Sequence, residues 1–193
     1  MSRTREPWVD LNLEKENCMK PWKWSVTVVA AFVLGAAVAR VTAGGPTLTA
    51  AGFEGKDAKE AAAAILAVAE AQAGNGTWEL IAVGRIYYLS GDRTKGQALF
   101  DRATALKSGV SEWRRIGKVY AEAREFDKAE AALQKAVTAK AEDTSLAELG
   151  AMLNLNGKRP LAEETFKKSL AKDPGDVWNS ITMAGSYVGV RPD

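Results

Sequence analysis

The sequence predicts an all-α fold: an α-solenoid of antiparallel helix pairs, about three repeat units plus capping helices, preceded by a hydrophobic N-terminal helix. Three observations predict it. Glycine recurs at an interval of 33 residues, at Gly84, Gly117 and Gly150, and the bulky residues around each recur with it. From residue 56 onward the apolar positions follow intervals of three and four, the period of a helix face and not of a strand. Ahead of all this, Trp24 to Ala39 is an uncharged run without any stripe.

Composition narrows the chemistry. The chain has 193 residues, 26 Lys+Arg against 24 Asp+Glu, no His and one Cys. A net charge of +2 argues against a nucleic-acid partner, which calls for a basic excess. Without His there is no histidine catalysis, no His-ligated zinc and no Cys-Cys-His haem attachment. One Cys permits no internal disulfide. These features predict no catalytic residue, no metal and no cofactor, and a chain that is not an enzyme.

Taken in order, residues 1–20 are polar and read as a cytoplasmic leader. Residues 21–43 read as a transmembrane anchor or a signal peptide. The uncharged core is short for a bilayer that asks for about 20 apolar residues. Pro21 to Ala43 reaches that length if Lys23 and Arg40 snorkel, and Trp22 and Trp24 suit the interface. Alternatively, Val41-Thr42-Ala43 before Gly44 offers the small residues of a signal-peptidase site. Translation from Met19 would give that leader a conventional length. Arg3, Arg5, Lys15, Lys20 and Lys23 precede the run, so the positive-inside rule puts residues 44–193 outside the cytoplasm. The expectation is a single-pass protein of a bacterial inner membrane with its helical domain in the periplasm, or a soluble periplasmic protein cleaved after Ala43. Residues 1–43 carry the whole +2, and the remainder is neutral.

Residues 44–55 are Gly-rich and read as a linker. Residues 56–76 are Ala-rich, a capping helix by propensity, ending at Gly74-Asn75-Gly76. Three units follow, at 77–109, 110–142 and 143–175. Each opens with a helix A: Leu80, Val83-Gly84 and Tyr87 in the first; Trp113, Ile116-Gly117 and Tyr120 in the second; Leu146, Leu149-Gly150 and Leu153 in the third. Turns fall at Gly91-Asp92, Arg124-Glu125 and Gly157-Lys158. Helix B then carries Gly96, Phe100 and Ala103; Ala129, Leu133 and Ala136; Ala162, Phe166 and Ser169. Small residues where A crosses B allow close approach, and the bulky ones fill the space beside them. Residues 176–193 form a C-terminal capping helix and tail, matching another helix A through Met183, Ala184 and Tyr187.

These units resemble tetratricopeptide (TPR) repeats, whose pattern is W-x2-L-G-x2-Y, then A-x3-F-x2-A, then P. The resemblance covers about residues 57–188. It departs in spacing, 33 in place of 34, with the missing residue placed between B and the next A, and the closing Pro appears only at Pro174. The resemblance implies a non-catalytic protein-binding module with a groove lined by A-helix positions outside the packing signature. Trp78, Ile81, Arg85, Tyr88, Arg114, Arg115, Lys118, Asn154 and Trp178 are the candidate partner-binding residues. Two readings of the central cations stay open. They hold acidic or amphipathic segments of a partner, or they are surface charges paired with Glu122 and Glu148. The Lys/Asn/Asn/Lys/Arg set with which the chaperone-binding family members hold a terminal carboxylate is not reproduced. The functional expectation is a membrane-anchored adaptor that assembles or stabilises an envelope complex. The alternatives are an accessory subunit of a membrane or periplasmic enzyme complex, or a scaffold that self-assembles through its apolar ends, its oligomeric state undetermined.

Overall fold

The computed structural model describes residues 45–192. The leader and the anchor or signal reading of residues 1–43 therefore lie outside the described residues. Among these there are eight α-helices and no strand: α1 (Ala58–Ala73), α2 (Thr77–Leu89), α3 (Arg93–Leu106), α4 (Val110–Glu122), α5 (Phe126–Ala139), α6 (Asp143–Leu155), α7 (Arg159–Leu170) and α8 (Val177–Tyr187). No helix among them is long and apolar enough to cross a membrane.

The starts of α2, α4 and α6 are spaced by the sequence period of 33, and so are those of α3, α5 and α7. Each pair packs as an antiparallel hairpin, α2 on α3, α4 on α5 and α6 on α7. Local signals set the ends. The Asp57 carboxylate accepts from the Lys59 and Glu60 N–H groups, Asp92 from Lys95, and Asp176 from Trp178 and Asn179, the usual N-cap satisfaction of orphan donors. Between A and B the chain reverses through one residue in the left-handed region, Gly91 (φ 108), Arg124 (φ 59) and Gly157 (φ 77). The Glu125 N–H then donates to the Tyr120 carbonyl and the Lys158 N–H to that of Leu153, the six-to-one closure of a Schellman turn. Unit two makes this turn with Arg where its neighbours use Gly.

The crossing of A on B depends on the recurring glycine. A Cβ on Gly84 would stand 2.8 Å from Phe100 Cε1, and one on Gly117 would stand 2.9 Å from Leu133 Cγ. The bulky B-helix residue thus lies directly on the A-helix backbone. Leu80, Phe100, Ile116, Leu133 and Met152, all under 2% exposed, run through the units as one core. Neighbouring units are held together by that core, as expected of pairs that cannot bury their apolar faces alone.

The connections 107–109 and 140–142 have three residues, whereas 171–176, with Pro174, has six. α8 follows that longer link and packs along α6. Asn154 Nδ2 donates to Ser186 Oγ (3.0 Å), Asn179 Nδ2 donates to Asp143 Oδ2 (2.9 Å), and the Tyr187 ring sits 6.2 Å from Phe166.

One expectation needs correction here. The segment read as a linker is not free chain. Ala50–Gly52 forms a 3-10 turn that packs on α1, and Gln72 Nε2 donates to the Pro46 carbonyl at 2.9 Å. The contact with α1 and the Gln72 hydrogen bond hold these residues, which composition alone does not reveal.

Candidate functional site

A hollow of about 220 Å³ opens between α2 and α4, lined from α2 by Trp78, Ile81, Ala82 and Arg85 and from α4 by Arg115, Lys118, Val119 and Glu122. On each helix these residues are three, four and seven apart, so each set is a single stripe. Stacking of the two units brings the stripes face to face. Arg191 and Pro192, beyond α8, complete the lining. Beside it, Ser111 and Arg114 join Trp78, Arg115 and Lys118 around a second hollow. The volume is below the roughly 300–1,000 Å³ of small-molecule sites and suits one or two side chains of an extended partner.

The charges are largely spoken for within the domain. Arg85 donates twice to Glu122, Nε at 2.7 Å and Nη2 at 2.9 Å. Arg114 is likewise bidentate on Glu148 at 2.6 Å, and Lys118 Nζ reaches the same carboxylate at 3.2 Å. Such forks are among the stronger charge-assisted bonds. The Arg85 hydrogen bonds hold the Glu122 carboxyl below the usual carboxylate range against the opposing effect of burial, with the charges of Arg85 and Arg191 adding to them. Of the two readings left open by the sequence, pairing with Glu122 and Glu148 is what Arg85 and Arg114 do. These pairs join units, α2 to α4 and α4 to α6, so they also fix the stack.

Arg115 is different. Its guanidinium lies 4.0 Å from the centre of the Trp78 ring, and among the described residues it makes no ion pair. A guanidinium stacked on indole keeps its edge donors free for a carboxylate. Trp78 is 48% exposed, with Arg115 lying over one face of its ring. The result is a flat aromatic and cationic platform at the mouth of the hollow.

The remaining candidates go elsewhere. Tyr88 is not a groove residue. It is 2% exposed, its ring 5.6 Å from Phe100 and 5.5 Å from Tyr120, and its hydroxyl donates to Glu125 (2.6 Å) and accepts from Lys128 (3.0 Å). The neighbouring Tyr87, read as the packing position, is only half-buried, with Lys95 Nζ donating to its hydroxyl. Gly96 explains the exchange. A Cβ there would meet Tyr88 Cβ at 2.7 Å, so the lone Gly at a position that is Ala in the other units makes room for Tyr88. Ile81, 3% exposed, forms the floor of the hollow. Asn154 is tied to Ser186, and Trp178, 73% exposed, stands on α8 outside the hollow.

Sequence reading missed Glu112. It is fully buried at the third position of α4 after Gly109, and Thr77 Oγ1 donates to its Oε1 at 3.0 Å across the unit boundary. Burial raises its carboxyl, but bonds from its own backbone N–H and Thr77, with the charge of Lys107, bring it below the usual range. The signal was present as Gly-x-x-Glu at both 76–79 and 109–112, a helix-start pattern with glycine in the capping place. Asp143, Asp173 and Asp176 bring carboxylate oxygens within 4.8 Å of one another. Each has a structural duty: Asp176 caps α8, Asp173 accepts from the Gly175 N–H, and Asp143 accepts from Asn179.

No family model matches the chain, and no curated protein matches it. Among solved structures, the crystal structure of MamA is similar to it at 20% identity, covering 68% of this chain and 77% of that one with a TM-score of 0.49. The fold rests on the register of the helices themselves: over residues 58–187 the chain is an all-helical, TPR-like array of antiparallel pairs.

Proposed function

We propose that this domain is a non-catalytic protein-binding module whose α2–α4 hollow takes an extended partner segment bearing carboxylates. The observation that supports this most is the Trp78–Arg115 platform. It offers a guanidinium with no ion pair among the described residues, beside Lys118, in a hollow whose own Glu122 is already held by Arg85. Aromatic and Arg anchors that become desolvated on binding carry much of the energy in protein interfaces. The test is a photo-crosslinking residue at Ser111 in intact cells. The expected adduct is lost on Arg115→Glu and weakened on Trp78→Ala, and an adduct unchanged by both sinks the reading. Arg114→Glu is the wrong variant, because it sets two carboxylates together at Glu148 and damages the stack itself.

From residues 21–43 we infer that the module is tethered to, or exported across, a bacterial inner membrane and serves an envelope complex, as an adaptor or as the accessory subunit of an enzyme complex. Sequencing the mature N-terminus separates anchor from signal, since a start at Gly44 ends the anchor reading.

A second reading, self-assembly, is favoured by α8. Ile81 and Tyr88 are buried in unit one, but at the matching places Ile181 on α8 and Val188 just after it are 55% and 77% exposed. That edge is the one a further unit would cover. Light scattering that gives a monomer at high concentration removes this reading.

A further inference from the structure

Residues 188–192 do not trail away from α8. Gly189 takes φ 82, the Val190 N–H donates to the Gly185 carbonyl at 2.9 Å, and the Gly189 N–H donates to that of Ser186 at 3.5 Å. This is again the Schellman closure, here at the C-terminus of α8. It folds the chain back, with Val190 Cβ 3.5 Å from where a Cβ on Gly185 would stand. Beyond the turn, Arg191 and Pro192 reach the hollow between α2 and α4, on the same wall set as Trp78, Ile81, Lys118 and Glu122. Pro192 is buried there, although it belongs to no helix.

We propose that Arg191 and Pro192, as one wall of the α2–α4 hollow, close it in cis, and that a partner segment must displace them in order to bind. This rests on the reading of that hollow as the partner-binding face. The physics favours a hold that is real but easily released. Tethering two residues beyond a helix cap gives the segment a high local concentration, and proline has little side-chain entropy to lose. Arg191 brings its charge toward Glu122, a carboxylate that Arg85 already holds, and Lys118 pairs with Glu148. Arg115 is left without an ion pair among the described residues, and an acidic partner supplies the counter-charge that the cis segment lacks. A hollow open one-tenth of the time weakens apparent partner affinity about tenfold.

Two measurements on the full chain in detergent, with Cys18→Ser, test this. Nitroxides at Ile86→Cys and Val190→Cys, both exposed positions, report where the segment lies. A single narrow distance is expected, broadening and lengthening when Gly189→Val makes the left-handed turn untenable. A broad distribution with Gly189 intact overturns the proposal. Binding of a fluorescein-labelled hexaglutamate peptide is then compared among the full chain, its Gly189→Val variant and a chain ended at Val188. The two altered chains are expected to bind about tenfold tighter, and equal affinity in all three overturns displacement. If hexaglutamate binds to none, the carboxylate-binding reading of the hollow fails, and the displacement proposal falls with it even when the spin-label distance still finds the segment in place.

Discussion

Gly96→Ala separates what the repeat pattern implies from what the packing requires. The matching residues in the other units are Ala129 and Ala162, both 0% exposed. By pattern, the change restores the consensus and adds about 1 kcal/mol of helix propensity in the interior of α3. The structure gives the opposite sign. A Cβ at 96 would stand 2.7 Å from the Gly84 carbonyl oxygen, from Tyr88 N and from Tyr88 Cβ. Two of these are backbone atoms, so no rotamer relieves the contact. α2 and α3 must part by about 0.5–1 Å, which forfeits a quarter to a half of the dispersion energy across the seam. Overpacking of this kind costs about 1–3 kcal/mol. With the propensity gain set against it, the net is a loss of up to about 2 kcal/mol. With a urea m-value of about 2 kcal/mol/M, the midpoint followed by circular dichroism falls by up to about 1 M. A midpoint that rises by about 0.5 M, as the consensus argument requires, refutes the packing account.

Tyr88→Phe removes the hydroxyl bonded to Glu125 and Lys128 and keeps the ring. The expected cost is about 0.5–1.5 kcal/mol in urea unfolding, with hexaglutamate binding unchanged because Tyr88 lies outside the hollow. Arg124→Gly relieves a non-glycine residue at φ 59 and is expected to stabilise by up to about 1 kcal/mol, read as a raised urea midpoint. Glu112→Ala leaves the Thr77 hydroxyl without its acceptor in a buried place and is expected to cost about 1–3 kcal/mol, again by urea unfolding. Acid sensitivity follows from Glu112, Glu122 and Glu125, whose carboxyls all sit below the ordinary value in the folded chain. A lowered folded pKa gives stability that is full above the unfolded value, near 4.5, and is lost as pH falls through the folded ones. Thermal unfolding is therefore expected to be flat from about pH 6 to 8, where no His titrates, and to decline below about pH 4.5.

The repeats were legible because they are a local matter repeated. The glycine at each crossing, the bulky residue it admits and the left-handed turn at 91, 124 and 157 all follow from intervals of three, four and 33, which need no knowledge of the neighbouring units. The hollow was half legible. Trp78, Arg85, Arg115 and Lys118 were placed on the right face by helical spacing, and their convergence follows from stacking identical units. Tyr88 was misplaced because Gly96, eight positions on in the next helix but in contact in space, decides which of two adjacent tyrosines enters the core.

By itself, then, the sequence determined the all-helical class, the pair register and the neutral, His-free character of residues 44–193. It did so because period and composition are one-dimensional properties. Only the tertiary structure decided which cations are spent on Glu122 and Glu148, and that Arg115 rests on Trp78. It alone brought Pro192 to the hollow between helices about seventy and more than a hundred residues earlier in the chain. Those outcomes depend on distances between units, which no spacing along the chain encodes.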